Sequence, residues 1–142
     1  MKIMRTVLAL ALFLLPSVAG AQQQRQMLSP EQEEKQMREA IEQLVVKYEE
    51  ELKLEVWQTF YVDSILTHNT FAMRDETRKL ADNRVENYDL YMVVSDKWDE
   101  ATYSAFRKLF TDEQWAKYLK SGAARAKKAR DKRAEKREGK QK

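Results

Sequence analysis

Cysteine is absent from the 142 residues, and histidine occurs once, at His68. These shortages exclude disulfide scaffolds, thiolate zinc sites, iron–sulfur clusters and cysteine nucleophiles, and with them most metalloenzyme chemistry. Glycine and proline are scarce as well: Gly20, Gly122, Gly139, Pro16 and Pro30 are all there are, so residues 31–121 contain neither. That stretch has no Gly-rich phosphate loop and lacks the turn chemistry of an all-β fold. What remains is a chain 35% charged and 43% hydrophobic, long enough for one small core. The expected fold class is all-α: a small antiparallel helical hairpin or bundle of three to four helices, with long central helices and a basic C-terminal extension.

Residues 1–21 run from positive (Lys2, Arg5) through the apolar stretch Val7 to Leu15 to small residues ending Ala19-Gly20-Ala21. This is the order of a cleaved export signal. The apolar run falls far short of the roughly 20 residues a membrane-spanning helix needs. The expected organisation is a cleaved signal at 1–21, a short polar segment at 22–28, a helical domain at 29–119 and a basic tail at 120–142. Export would place the chain outside the cytoplasm, in the periplasm of a two-membrane bacterium.

The overall charge of +3 hides an asymmetry. Residues 22–119 carry 13 basic and 20 acidic side chains, a net −7, whereas residues 120–142 carry 11 basic and 3 acidic, a net +8. The tail has no aliphatic residue larger than Ala and no aromatic, so the expectation is a disordered segment or a frayed helix with little to bury. Its candidate partner-binding residues are Arg125, Lys127, Lys128, Arg130, Lys132 and Arg133. A solvated extension is the plain reading of such a charge run. Export argues against nucleic acid as a partner, which leaves anionic lipid or an acidic protein surface, this protein's own body included.

Helix signals fill the body. Ser29, Pro30 and Gln32 form a helix start with a capping box, followed by an apolar stripe at Met37, Ile41, Leu44, Val45, Tyr48 and Leu52. A second helix is expected from Glu55 to about Leu80 through Trp57, Phe60, Tyr61, Ile65, Leu66 and Phe71. It is either separate from the first or continuous with it, because Glu55 is a poor N-cap. The main reversal is expected at residues 81–87, with Asn83 as cap and Glu86 three residues on. A long third helix follows, carrying Tyr88, Tyr91, Met92, Trp98, Ala105, Phe106 and Leu109. Thr111 and Gln114 then open a fourth.

Three pentads align: Leu28–Gln32 (LSPEQ), Leu54–Gln58 (LEVWQ) and Phe110–Gln114 (FTDEQ). Each places an apolar anchor before a helix start and a Gln that can reach back to the cap, fixing where and at what angle the chain enters the helix. In a small, helix-rich, exported chain these pentads resemble the LTxxQ motifs of the Spy/CpxP family of periplasmic proteins. No pentad matches fully: Ser29 and Glu55 stand where the motif has Thr, and Phe110 where it has Leu. The resemblance implies a thin, curved helical homodimer. It also implies an ATP-independent chaperone, as in the family's best-understood member, or a stress-signalling adaptor, with metal-responsive relatives.

Enzyme chemistry is not expected. Ser64 and His68 share a helix face, but no second acid orients the ring and no glycine turn supplies an oxyanion site. No cofactor is expected. The aromatic pairs Trp57/Tyr61, Phe106/Phe110 and Trp115/Tyr118 read first as core packing, yet a thin helical layer cannot hide every ring, and exposed ones would mark a protein-binding site. The leading expectation is therefore a non-enzymatic holdase for unfolded or partly folded proteins. The alternative is an envelope-stress or structural adaptor that binds one defined partner or an anionic surface through its tail.

Overall fold

A computed structural model describes residues 28–140; the expected leader at 1–21, and all of the polar segment 22–28 except Leu28, lie outside the described residues. The fold is all-α: α1 (Pro30–Leu52), α2 (Val56–Asp82), α3 (Tyr88–Leu109), α4 (Asp112–Tyr118) and α5 (Ala124–Gly139). Among the described residues no helix is long and apolar enough to cross a membrane.

Local chemistry explains the starts. At α1 the Ser29 hydroxyl accepts from Gln32 N–H at 3.2 Å while Gln32 Oε1 accepts from Ser29 N–H at 3.0 Å. Thr111 and Gln114 repeat the same reciprocal bonds at α4, at 3.2 and 3.0 Å. Helices α1 and α2 are separate, because Lys53 turns left-handed at φ 55° and its N–H bonds back to the Glu49 carbonyl. Gln58 Oε1 accepts from the Glu55 N–H at 3.0 Å, so the Gln half of the motif is present even where Glu replaces the hydroxyl.

The reversal after α2 lies where expected, but its cap does not. Asn83 closes α2, donating from Nδ2 to the Lys79 carbonyl at 2.8 Å, and Asn87 opens α3 by accepting from Asp89 N–H at 3.0 Å. The left-handed Arg84 between them, at φ 55°, delays the new helix past Asn83.

Successive long helices run antiparallel. Glu33 near the start of α1 pairs with Arg78 near the end of α2, Asn69 Nδ2 donates to Thr102 Oγ1 across α2 and α3 at 2.9 Å, and Arg133 of α5 reaches back to Asp96 of α3. The core gathers at the end of the molecule that holds the α1–α2 and α3–α4 connections. It consists of Ile41, Val45, Leu52, Val62, Leu66, Phe106, Phe110 and Tyr118. Phe106 and Val62 are fully enclosed, and each such side chain contributes about 1.5–3 kcal/mol by leaving water. Edge-to-face rings extend the cluster, with Tyr48 5.8 Å from Phe106 and Tyr103 4.8 Å from Trp115.

Two expectations need correction. The stripe assigned to α2 is split: Leu66 is buried and Ile65 and Phe71 are partly so, whereas Trp57, Phe60 and Tyr61 are exposed. The face turned inward is instead Gln58, Val62, Leu66 and Asn69, two of them polar. The second correction concerns the tail, which is a helix tied to the body by ion pairs instead of a frayed or disordered extension. After α4 the chain passes a wide turn at Leu119–Ala123, where Gly122 adopts φ 112°, a conformation costly for any residue with a Cβ. It then enters α5 and runs back along α3, so the helical unit continues well past residue 119.

Candidate functional site

The second and third pentads meet. Gln58 Nε2 donates to Gln114 Oε1 at 2.8 Å, and Gln114 Nε2 donates to Gln58 Oε1 at 3.0 Å. Each amide nitrogen makes a second bond to the carbonyl that ends the helix before the other glutamine: Gln58 to Leu109 at 3.1 Å, and Gln114 to Lys53 at 3.4 Å. Each amide oxygen also accepts from its own cap. Gln58, 2% exposed, thereby has both donors and both acceptor positions occupied, which is what makes burial of an amide tolerable. Leu54 is packed against the core and Phe110 lies within it, so the anchors of these two pentads serve the same junction. The first pentad does not join them. Ser29 and Gln32 cap α1 at a separate place, and Leu28 is 46% exposed.

Fixing Gln58 inward fixes the rotation of α2. At 100° per residue, the position two before an inward residue points outward, the one before it sideways, the second after it outward, and the third after it lies about 60° off the inward direction, at the edge of the buried face. Those positions are Val56, Trp57, Phe60 and Tyr61, which are 86, 51, 66 and 52% exposed. Tyr61 stands edge-on to Trp57 and to Phe60, at 6.3 and 5.7 Å. Exposed Lys53, Glu55 and Asp63 flank this patch in the chain, and the Trp57 indole N–H donates to the Glu55 carboxylate. Sequence reasoning assigned Trp57 and Tyr61 to a candidate core. The rival spacing Gln58–Val62–Leu66–Asn69, with a motif Gln at its head, was the signal for the opposite face.

The six tail candidates divide between two faces of α5. Lys127, Arg130 and Arg133 face the body, whereas Arg125, Lys128 and Lys132 are exposed and make no ion pair among the described residues. Asp96 is the hub: Arg133 donates to both its oxygens, at 3.0 Å from Nε and 2.5 Å from Nη2, and Arg137 adds a bond at 3.0 Å. Glu100 takes Arg130 at 3.1 Å and Lys127 at 3.4 Å. The hydrogen bond from Arg133 is the main cause holding the Asp96 carboxyl below its ordinary value, with Arg137 assisting against the opposing effect of burial. Sequence reasoning missed Asp96 and Glu100 as the tail's seat. Their spacing along α3 answers the spacing of Arg130 and Arg133 along α5.

A cleft of about 460 Å³, to which all five helices contribute, is walled by Leu44, Leu66, Tyr118, Asn69, Asp99 and Arg130 among others. Burial pushes the Asp99 carboxyl up, opposed by Arg130 and by the Ser95 hydroxyl, which donates at 3.4 Å. His68 stands edge-on to Trp98 at 5.9 Å, and the Asp63 carboxylate is met by the Thr67 hydroxyl instead of by His68. Among the described residues no three His, Cys, Asp or Glu side chains converge to hold a metal.

No protein-family model, curated protein or solved structure matches the chain.

Proposed function

We propose that the protein is an exported, non-enzymatic holdase that binds unfolded or partly folded proteins without ATP. The observation that carries this reading is the exposed apolar patch of Val56, Trp57, Phe60 and Tyr61 beside the inward-turned Gln58. Contiguous exposed apolar surface is costly in water and marks a place where another apolar surface binds. Charges beside it steer encounters without enclosing the client, and binding that is weak enough lets the client leave and fold. The leader-like residues 1–21 and the resemblance of the pentads to the Spy/CpxP family support the same reading. In that reading the pentads hold two helix starts together, and the client surface is a by-product of the rotation they impose.

The test is client aggregation followed by light scattering, using the chain from Gln22 onward, a Trp57→Ser/Phe60→Ser variant and an inert protein. The parent suppresses aggregation at near-stoichiometric ratios. The variant, whose changes lie on exposed positions, needs roughly tenfold more protein for the same effect, the loss expected when aromatic anchors are removed from a binding surface. Absence of suppression by the parent disproves the holdase; equal suppression by both moves the client site away from α2.

A further inference from the structure

We infer that the outer face of α5 is a docking stripe for the surface of an anionic phospholipid bilayer, while its inner face is consumed in holding the helix to α3. The inner face is mostly arginine, with Lys127 beside it on Glu100, and the outer face mostly lysine, with Arg125 at its head. Toward the body stand Arg130, Arg133 and Arg137, whose forked guanidinium groups meet Asp96 and Glu100 in oriented hydrogen bonds. Away from it stand Arg125, Lys128, Lys132 and Lys136, at successive helical spacings of three and four, all exposed and none in an ion pair among the described residues. Eleven residues of helix set them along a line about 16 Å long.

Docking α5 is what makes this stripe. A disordered tail would present every charge in every direction. A helix whose inward arginines are paired with Asp96 and Glu100 leaves its unpaired cations along one positive edge. Only Glu135 interrupts the outer face, since Asp131 is turned to Lys127.

The chemistry of the edge selects the partner. Protein interfaces are enriched in aromatic residues and arginine and depleted in lysine. Single-stranded nucleic acid requires rings on which bases stack. The outer face of α5 carries no aromatic and no aliphatic residue larger than Ala. Its lysines are hydrated point charges on flexible stems, suited to a plane of mobile anionic headgroups that makes no directional demand. Without an apolar edge the helix adsorbs and does not insert.

The experiment is flotation of the chain from Gln22 onward, which retains every described residue, with vesicles of phosphatidylcholine plus a minor fraction of phosphatidylglycerol, and with phosphatidylcholine alone. One variant is K128Q/K132Q/K136Q. A second, K47Q/K79Q/K108Q, removes the same charge from exposed lysines elsewhere. Circular dichroism reports that both keep their helices. The parent floats with the anionic vesicles only and is released as salt is raised through about 0.15 M, where the Debye length is about 8 Å. The α5 variant loses on the order of 100-fold in partitioning, and the control variant stays close to the parent. Any of four results overturns the inference: no flotation of the parent, equal flotation with neutral vesicles, equal losses in the two variants, or tighter binding to a mixed-sequence DNA duplex at the same salt. The last would assign the stripe to nucleic acid. None bears on client binding at α2, which light scattering reads separately.

Discussion

Gln58 and Gln114, 56 residues apart, hold each other's side-chain amides in a reciprocal pair of hydrogen bonds. The pair joins the start of α2 to the start of α4, and the further bonds to Leu109 and Lys53 tie in the ends of α3 and α1. Four helix termini, each with unsatisfied backbone groups, are thus closed at one place.

Gln58→Ala and Gln114→Ala each remove one half of this pair and leave the other amide and a helix-end carbonyl unsatisfied. Each should lower stability by about 3 kcal/mol, because a buried polar group stripped of its partner costs its desolvation as well as its bond. Urea unfolding of the two single variants and the double variant measures their coupling, expected at about 1 kcal/mol or more. Strict additivity would show that the amides act independently.

Asp96→Asn should loosen α5. The Asp96 side chain is 11% exposed and receives two arginines, so loss of its charge leaves theirs without a seat. Amide exchange along α5, read by mass spectrometry at neutral pH, should quicken about tenfold, less than for a fully enclosed pair because the arginine side chains are partly solvated. The pH dependence has a definite sign. Asp96 titrates below its ordinary 3.8 in the folded chain, so its contribution is present above that value and is lost as the pH falls through the lowered one. Acidification should therefore bring parent and variant together, and a gap that persists would assign the effect to another cause.

Gly122→Ala isolates the cost of the bend between α4 and α5. Nothing lies within 4 Å of where a Cβ would stand, so the substitution meets no clash with the surroundings and reports backbone strain at φ 112° alone. A loss of about 1–2 kcal/mol in thermal or urea unfolding is expected. A neutral result would mean that the turn relaxes to another path.

Alkaline pH should act through the core. Burial raises the Tyr48 hydroxyl, with Glu51 adding to it, and burial raises Tyr118 further, with Tyr48 adding. Both would ionise near 10.0 once unfolded. Their contribution is whole below that pH and is lost as the pH rises through the folded values, because the unfolded chain releases its protons first. The urea midpoint should fall steeply above about pH 10, and Tyr48→Phe/Tyr118→Phe should flatten the fall. Equal slopes in parent and variant would place alkaline unfolding elsewhere.

Much of this architecture is written locally. The scarcity of Gly and Pro, the capping pairs Ser29/Gln32 and Thr111/Gln114, and the stripe from Met37 to Leu52 determine an all-helical chain and most of its helix starts, because caps and amphipathic periods act within a few residues. What the sequence could not determine by itself was which side of α2 faces inward. Its aromatics argue for one face and the wedge of Gln58, Val62, Leu66 and Asn69 for the other, and burying Gln58 is acceptable only when Gln114, from a distant helix, satisfies its amide. The same holds for the tail. Its composition favours solvation, and only the tertiary placement of Asp96 and Glu100 turns one side of it into a bound face and leaves the other as a stripe of lysines. Local rules assign helix from neighbours in the chain; phase and docking depend on partners that folding alone brings together.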